Sequence, residues 1–170
     1  GDQIYWATTE YDGMGRITKL TEPDARGLDK AVTTTYNRLV EVVKAGDRQL
    51  QTTTTYNAVG NVVQELQEEG SKIEYTYTSQ GLLKTTKTGG NANTLITLTY
   101  DEYGRKVSQD DPDLGLWTYT YNAFGELISQ KDAKNQSMTF VYDKLGRLIS
   151  KTEPDGSGTK TSTWTYATVG

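Results

Sequence analysis

Tyr142-Asp143-Lys144-Leu145-Gly146-Arg147-Leu148 is the stretch that decides how this chain is read. A tyrosine is followed at once by a short acidic residue, then three positions later by glycine, then by a charged residue and a β-type run. Asp or Asn after Tyr, with Gly three residues on, fits a type I turn. The polar side chain caps its own backbone, and Gly takes the left-handed position. Upstream, Met138, Phe140 and Tyr142 share one parity, with Thr139 and Val141 between them. Period 2 with large apolar groups on one side describes a half-buried strand. Downstream, Arg147-Leu148-Ile149-Ser150-Lys151 runs into Glu153-Pro154-Asp155-Gly156, a second strand and a second turn. The unit is an antiparallel hairpin.

The same unit recurs through the chain. It opens at Tyr11, Tyr36, Tyr56, Tyr77, Tyr100, Tyr121 and Tyr142, and an eighth copy opens at Tyr166 and is cut off. The intervals of 20–25 residues allow one supersecondary unit per repeat. The turn glycine stands at Gly15, Gly60, Gly81, Gly104, Gly125 and Gly146, and Tyr36-Asn37-Arg38 lacks it, so that hairpin must turn more tightly or irregularly. Asp12, Asp101 and Asp143 each have an arginine four residues on, at Arg16, Arg105 and Arg147, whereas Asn57 and Asn122 precede Asn61 and Glu126. The covariation reads as a cross-turn ion pair, with Asn122 avoiding repulsion from Glu126. Exposed pairs of this kind contribute only about 0.2–1 kcal/mol. The ladder Ile73/Tyr75/Tyr77, Ile96/Leu98/Tyr100 and Trp117/Tyr119/Tyr121 repeats the alternation, and Trp164 and Tyr166 follow it. The fold expected is all-β, a meander of about seven hairpins in one array over residues 1–170. Some 14 strands at about 4.8 Å spacing form a strip wide enough to curl.

Composition agrees and excludes several functions. The 170 residues carry 12 Tyr, 3 Trp and 28 Thr, all strand formers, but only 32 Leu, Ile, Val and Phe. A net charge of −4 gives no basic excess for phosphate contacts, so nucleic acid is not an expected partner. With no Cys and no His, disulfides, thiol and imidazole catalysis and the usual zinc sites are out. No apolar run is long enough for a membrane helix, and the start, Gly1 to Trp6, lacks the n- and h-regions of a signal peptide. The chain begins and ends in mid-pattern, as an excised fragment would.

The heptapeptide at Tyr142 to Leu148, with its registered copies and the segment Asp111-Pro112-Asp113-Leu114-Gly115-Leu116-Trp117-Thr118-Tyr119-Thr120-Tyr121-Asn122, resembles the YD-repeat, or RHS-repeat, family. That family includes bacterial RHS polymorphic toxins, Tc-toxin B–C components and, distantly, the teneurins. The resemblance implies a hollow shell of spiralling β-strip, secreted or at the cell surface. In the toxins such a shell encloses a cytotoxic C-terminal domain; in teneurins it belongs to an adhesion protein. The chain has no recognisable self-cleaving core segment, and no protease role is carried onto Asp111-Pro112. The expected function is therefore structural and non-catalytic: a shell segment of an RHS or Tc-like secreted toxin, partnered by the rest of the shell and its cargo polypeptide. A carbohydrate-binding or cell-adhesion module is the alternative.

No cofactor or metal is expected. Glu22/Asp24, Asp110/Asp111/Asp113 and Glu153/Asp155 sit at turns beside proline, where solvated turn chemistry outweighs an acid–base pair or a calcium site. Gly89-Gly90-Asn91-Ala92-Asn93 reads as a flexible turn, and Gln64 to Glu69 as strand plus turn rather than helix. The aromatic ladder reads as a packed face. The off-register aromatics Tyr5, Trp6, Tyr103 and Phe124 are the better ligand contacts. Tyr103 and Phe124 share the third turn position with Met14, Val59 and Leu145, which suggests a turn that packs down. Unpaired strand edges predict self-association.

Overall fold

The computed structural model describes residues 6–23, 29–45, 50–156 and 158–167. Fifteen strands follow one another: β1 (Thr8–Tyr11), β2 (Ile17–Pro23), β3 (Asp29–Asn37), β4 (Val40–Ala45), β5 (Leu50–Tyr56), β6 (Val62–Gln67), β7 (Lys72–Tyr77), β8 (Leu83–Thr88), β9 (Ile96–Tyr100), β10 (Lys106–Asp111), β11 (Gly115–Tyr121), β12 (Leu127–Lys131), β13 (Ser137–Tyr142), β14 (Leu148–Asp155) and β15 (Gly158–Thr163). Their order in the sheet is their order in the chain, with β1 and β15 last on either side. Every resolved pairing is antiparallel, as two-strand units joined by short turns require. Gln64 to Gln67 lies in β6. The Gly89–Asn93 segment holds a turn at Gly89 and Gly90, both at positive φ, followed by a single 3-10 turn over Ala92–Thr94. The described residues form two compact units. One holds β1–β7 and the end of β8; the other holds the start of β8 and β9–β15.

Alternation is plain in β11, where Trp117, Tyr119 and Tyr121 are half-buried and Leu116, Thr118 and Thr120 are exposed. The strand β13 repeats it with Met138, Phe140 and Tyr142. Yet among the described residues no apolar side chain is fully buried. The aromatic face is half-buried rather than enclosed. Cohesion must come from ladder hydrogen bonds and from side chains that pair across adjacent strands.

Five tyrosine hairpins share an irregularity that the alternating pattern does not announce. Tyr121 pairs with Leu127 but Thr120 with Ser129, so one residue, Ile128, is extra. The same slip leaves Thr18, Val63, Val107 and Ile149 unopposed. A β-bulge places two residues opposite one. It explains why an apolar pair (Val62-Val63, Leu127-Ile128, Leu148-Ile149) opens the second strand where strict alternation would place one apolar residue. The β3–β4 hairpin has no bulge. Asn37 pairs directly with Val40 across a two-residue turn, and Arg38 takes a φ of 53°.

The opposite turn edge contains one close backbone approach. Gly115, at φ 71°, opens β11, and a Cβ built on it would stand 2.5 Å from the Ala133 Cβ. Gly115→Ala is expected to lower stability in urea unfolding by about 1–3 kcal/mol, from clash and strain together. Adding Ala133→Gly should recover the clash part and leave the φ penalty, a coupling that a double-mutant cycle reads directly.

Candidate functional site

The repeated chemistry lies at the junction between one tyrosine turn and the next hairpin. Each turn is built by its second residue. Oδ1 of Asp12, Asn57, Asp101, Asn122 and Asp143 accepts the amides two and four residues on, at 2.8–3.1 Å. Thr78 does the same with its hydroxyl at 3.2–3.3 Å. The turn glycines Gly15, Gly60, Gly81, Gly104, Gly125 and Gly146 all lie at φ 75–88°, the region that penalises a Cβ. The backbone hydrogen bond from Arg16 is the largest influence holding Asp12 below its ordinary value, and that from Arg147 does the same for Asp143.

The arginines do more than close their own turns. Nε of Arg16, Arg105 and Arg147 donates to its aspartate Oδ2 at 2.6–2.7 Å. Each guanidinium then lies over the tyrosine that opens the next repeat: Arg16 over Tyr36 at 4.1 Å, Arg105 over Tyr121 at 4.9 Å, Arg147 over Tyr166 at 4.4 Å. The aspartate orients the cation, and the cation grips the neighbouring ring, worth about 0.5–1 kcal/mol at exposed sites. Arg105 also donates to the Asn122 carbonyl at 3.2 Å. Asn122 does not merely spare Glu126 a repulsion, because its Nδ2 donates to Glu126 Oε2 at 2.6 Å.

The tyrosine hydroxyl completes the junction. Tyr36 donates to the carbonyl of Ile17, Tyr77 to Val62, Tyr100 to Leu83, Tyr121 to Lys106, Tyr142 to Leu127 and Tyr166 to Leu148, at 2.6–3.1 Å. In every case the acceptor stands six residues after the preceding tyrosine, the first residue of its second strand. The bulge makes this carbonyl available: the β12–β13 ladder stops at Ser129–Thr139, short of Leu127. Tyr56 is the exception and supplies the reason. Without a bulge in the preceding hairpin, the β4–β5 ladder runs on to Val40–Thr55, and the Tyr56 hydroxyl turns to Glu41 Oε2 at 2.8 Å. That bond, with burial, raises the Tyr56 pKa. Tyr75 is pushed up to about 12 by burial first and by its hydrogen bond to Glu65 second.

The expected ligand-contact residues are scattered. Trp6 is exposed before β1, and Tyr5 lies outside the described residues. The third turn residues do not pack down. Met14, Val59, Tyr103, Phe124 and Leu145 are 73–90% exposed. Asp or Asn Oδ1 takes the amide of this residue, which turns its backbone inward and its side chain out. Of the turn carboxylates, Asp111 is the most buried described residue, because Oδ1 accepts the amides of Asp113 and Leu114. Glu153 pairs with Lys151, and Asp24 lies outside the described residues. Among the described residues no three acidic side chains gather to hold a metal. The hydroxyl role had one signal in the sequence: all eight copies open with Tyr and none with Phe.

The sequence profile of the family described as Teneurin YD-shell matches residues 1–162. No curated protein matches the chain. The fold is similar to that in the crystal structure of TcdB2–TccC3, with TM-score 0.75 and 18% identity over 94% of this chain and 9% of that one. TcdB2–TccC3 without its hypervariable C-terminal region gives 0.74 and 18%, over 96% and 10%. The Photorhabdus luminescens Tc holotoxin pore gives 0.74 and 17%, over 94% and 9%. The chain thus spans about a tenth of the length of these structures.

Tyr121→Phe is expected to cost about 0.5–1.5 kcal/mol in urea unfolding, the worth of one hydrogen bond. Tyr11→Phe, whose hydroxyl has no partner among the described residues, should be nearly silent. On the alkaline side, Tyr75 has a folded pKa above its unfolded one. Its contribution is therefore complete below pH 10 and is lost as pH rises through about 12. Phenolate absorbance of wild type minus Tyr75→Phe should place that titration near pH 12.

Proposed function

The chain belongs to the teneurin YD-shell family, and from that premise we propose that it is a wall segment of an encapsulating β-shell in an RHS- or Tc-like secreted toxin. Its work is mechanical and not catalytic. The observation that carries this reading is the junction itself: at six of the seven junctions a repeat leaves one carbonyl open, and the next repeat closes it with a tyrosine. A module made this way grows by adding copies, and its stability is mostly nearest-neighbour. The absence of buried apolar side chains among the described residues supports the same reading. A half-covered aromatic face and exposed apolar turn residues fit a layer that meets other parts of a larger protein, the rest of the shell on one hand and an enclosed polypeptide on the other. A secreted or surface location accords with the family.

Limited proteolysis of the full-length polypeptide carrying this chain tests the proposal. An enclosed segment should resist trypsin while the wall is intact, and should become sensitive when Tyr121→Phe and Tyr142→Phe together loosen two adjacent junctions. Uniform digestion, with no protected segment in the intact protein, would overturn the wall reading.

A further inference from the structure

We propose that two copies of this chain pair turn edge to turn edge, with Phe124 of each seated between the Phe124 and Leu145 turns of the other. The surface is the row of third turn residues Tyr103, Phe124 and Leu145, which follow β9, β11 and β13. All three are exposed, Phe124 at 90%. Two strand spacings separate successive turns, about 10 Å. The preceding turn carries Gln80 at this position and ends the apolar row. A lone exposed apolar residue needs no explanation, but three in register along one edge form a patch of the kind that marks an interaction surface.

Between the projecting side chains the edge is notched. One notch, of about 360 Å³, lies between Tyr103 and Phe124, with Arg105 and Ala123 in its wall. The other, of about 430 Å³, lies between Phe124 and Lys144. A cavity of about 150 Å³ already accepts a benzene ring, so each notch has room for one large side chain. Phe124 is the free knob. The Tyr103 ring lies under the Arg105 guanidinium at 5.0 Å, whereas Phe124 uses only its backbone amide, on Asn122 Oδ1.

Knobs and notches alternate at the repeat interval, and a partner that meets them all must carry the same interval. A second copy does. Charge fixes its direction. The second turn residues run Glu102, Ala123, Lys144: negative, small and neutral, positive. Both charged residues are exposed, and neither has an ion-pair partner among the described residues. Related by a two-fold axis, the edges run in opposite directions, and Glu102 of each copy meets the partner's Lys144. A copy running the same way would set Glu102 against Ala123 or against a second Glu102. The two-fold contact is self-complementary and closes at two chains. Three turns bury less than the roughly 1,200–2,000 Å² of a stable interface, so the dimer is weak, with a Kd of about 10–100 μM.

Sedimentation equilibrium on the whole chain over about 5–500 μM tests this independently of the wall reading. A reversible dimer is expected. Phe124→Ser should weaken it by about tenfold or more, with circular dichroism unchanged because the Asn122 bond goes to a backbone amide. Glu102→Lys, which sets a cation against Lys144, should weaken it as well. Combining Glu102→Lys with Lys144→Glu should restore the wild-type Kd, because the exchanged charges meet across the same axis. Association through the unpaired strands β1 and β15 would ignore all of these changes. Should Phe124→Ser fail to fold, the charge exchange carries the test. The proposal falls if the chain stays monomeric over the whole range, if Phe124→Ser or Glu102→Lys associates as tightly as wild type, if the double exchange does not restore the dimer, or if open-ended aggregates form in its place.

Discussion

Everything in this sheet that is specific to its repeat depends on one hydrogen bond, from a tyrosine hydroxyl to a backbone carbonyl one hairpin back. A carbonyl at the start of a strand is a liability when the ladder beside it ends early, because an unpaired polar group half out of water costs about 1–3 kcal/mol. The bulge creates that vacancy, and Tyr121 fills it at Lys106 as Tyr142 fills it at Leu127. Bulge and tyrosine are therefore a single device. Where the β3–β4 hairpin dispenses with the bulge, Tyr56 has no carbonyl to reach and takes a carboxylate instead.

The device also explains why Asp, Gly and Arg keep company with Tyr. The aspartate fixes a turn whose glycine can enter the left-handed region, and that turn geometry feeds a bulge into the second strand. The arginine, held by the aspartate, reaches past its own hairpin onto the next ring, as Arg16 does over Tyr36. What looks like a local turn motif is an instruction about the following repeat. Turns with other residues at the arginine position, such as Asn57/Asn61 and Thr78/Leu82, keep the capping bond and lose only the grip on the neighbour.

Strand identity, pairing of consecutive strands and the turn type could all be read from the sequence, because each has a local pattern: period 2 through Met138, Phe140 and Tyr142, and Asp-x-x-Gly directly after it. The bulge could not, since an extra residue shows only as a doubled apolar pair like Leu127-Ile128, which a buried strand also produces. Nor could the outward pointing of Phe124, which follows from a hydrogen bond to its amide and not from its side chain. Nor could the cleft lined by Trp117, which draws on four strands and one turn. Its members, from Trp117 to Pro154, have no common spacing that a reading along the chain would single out.

The composition finally follows from the geometry. Among the described residues no apolar side chain is fully buried, so a chain rich in Leu and Ile would expose them. Tyrosine resolves the conflict: its ring covers a neighbouring strand while its hydroxyl reaches water or a carbonyl. Threonine serves the other face, β-branched for the strand and polar for solvent. Thr99 with Ser108 and Thr152 with Thr161 bond across it at 2.6 and 2.9 Å. Twelve tyrosines and a scarcity of aliphatics are then not signs of a weak core. They suit strands whose described residues bury no apolar side chain fully.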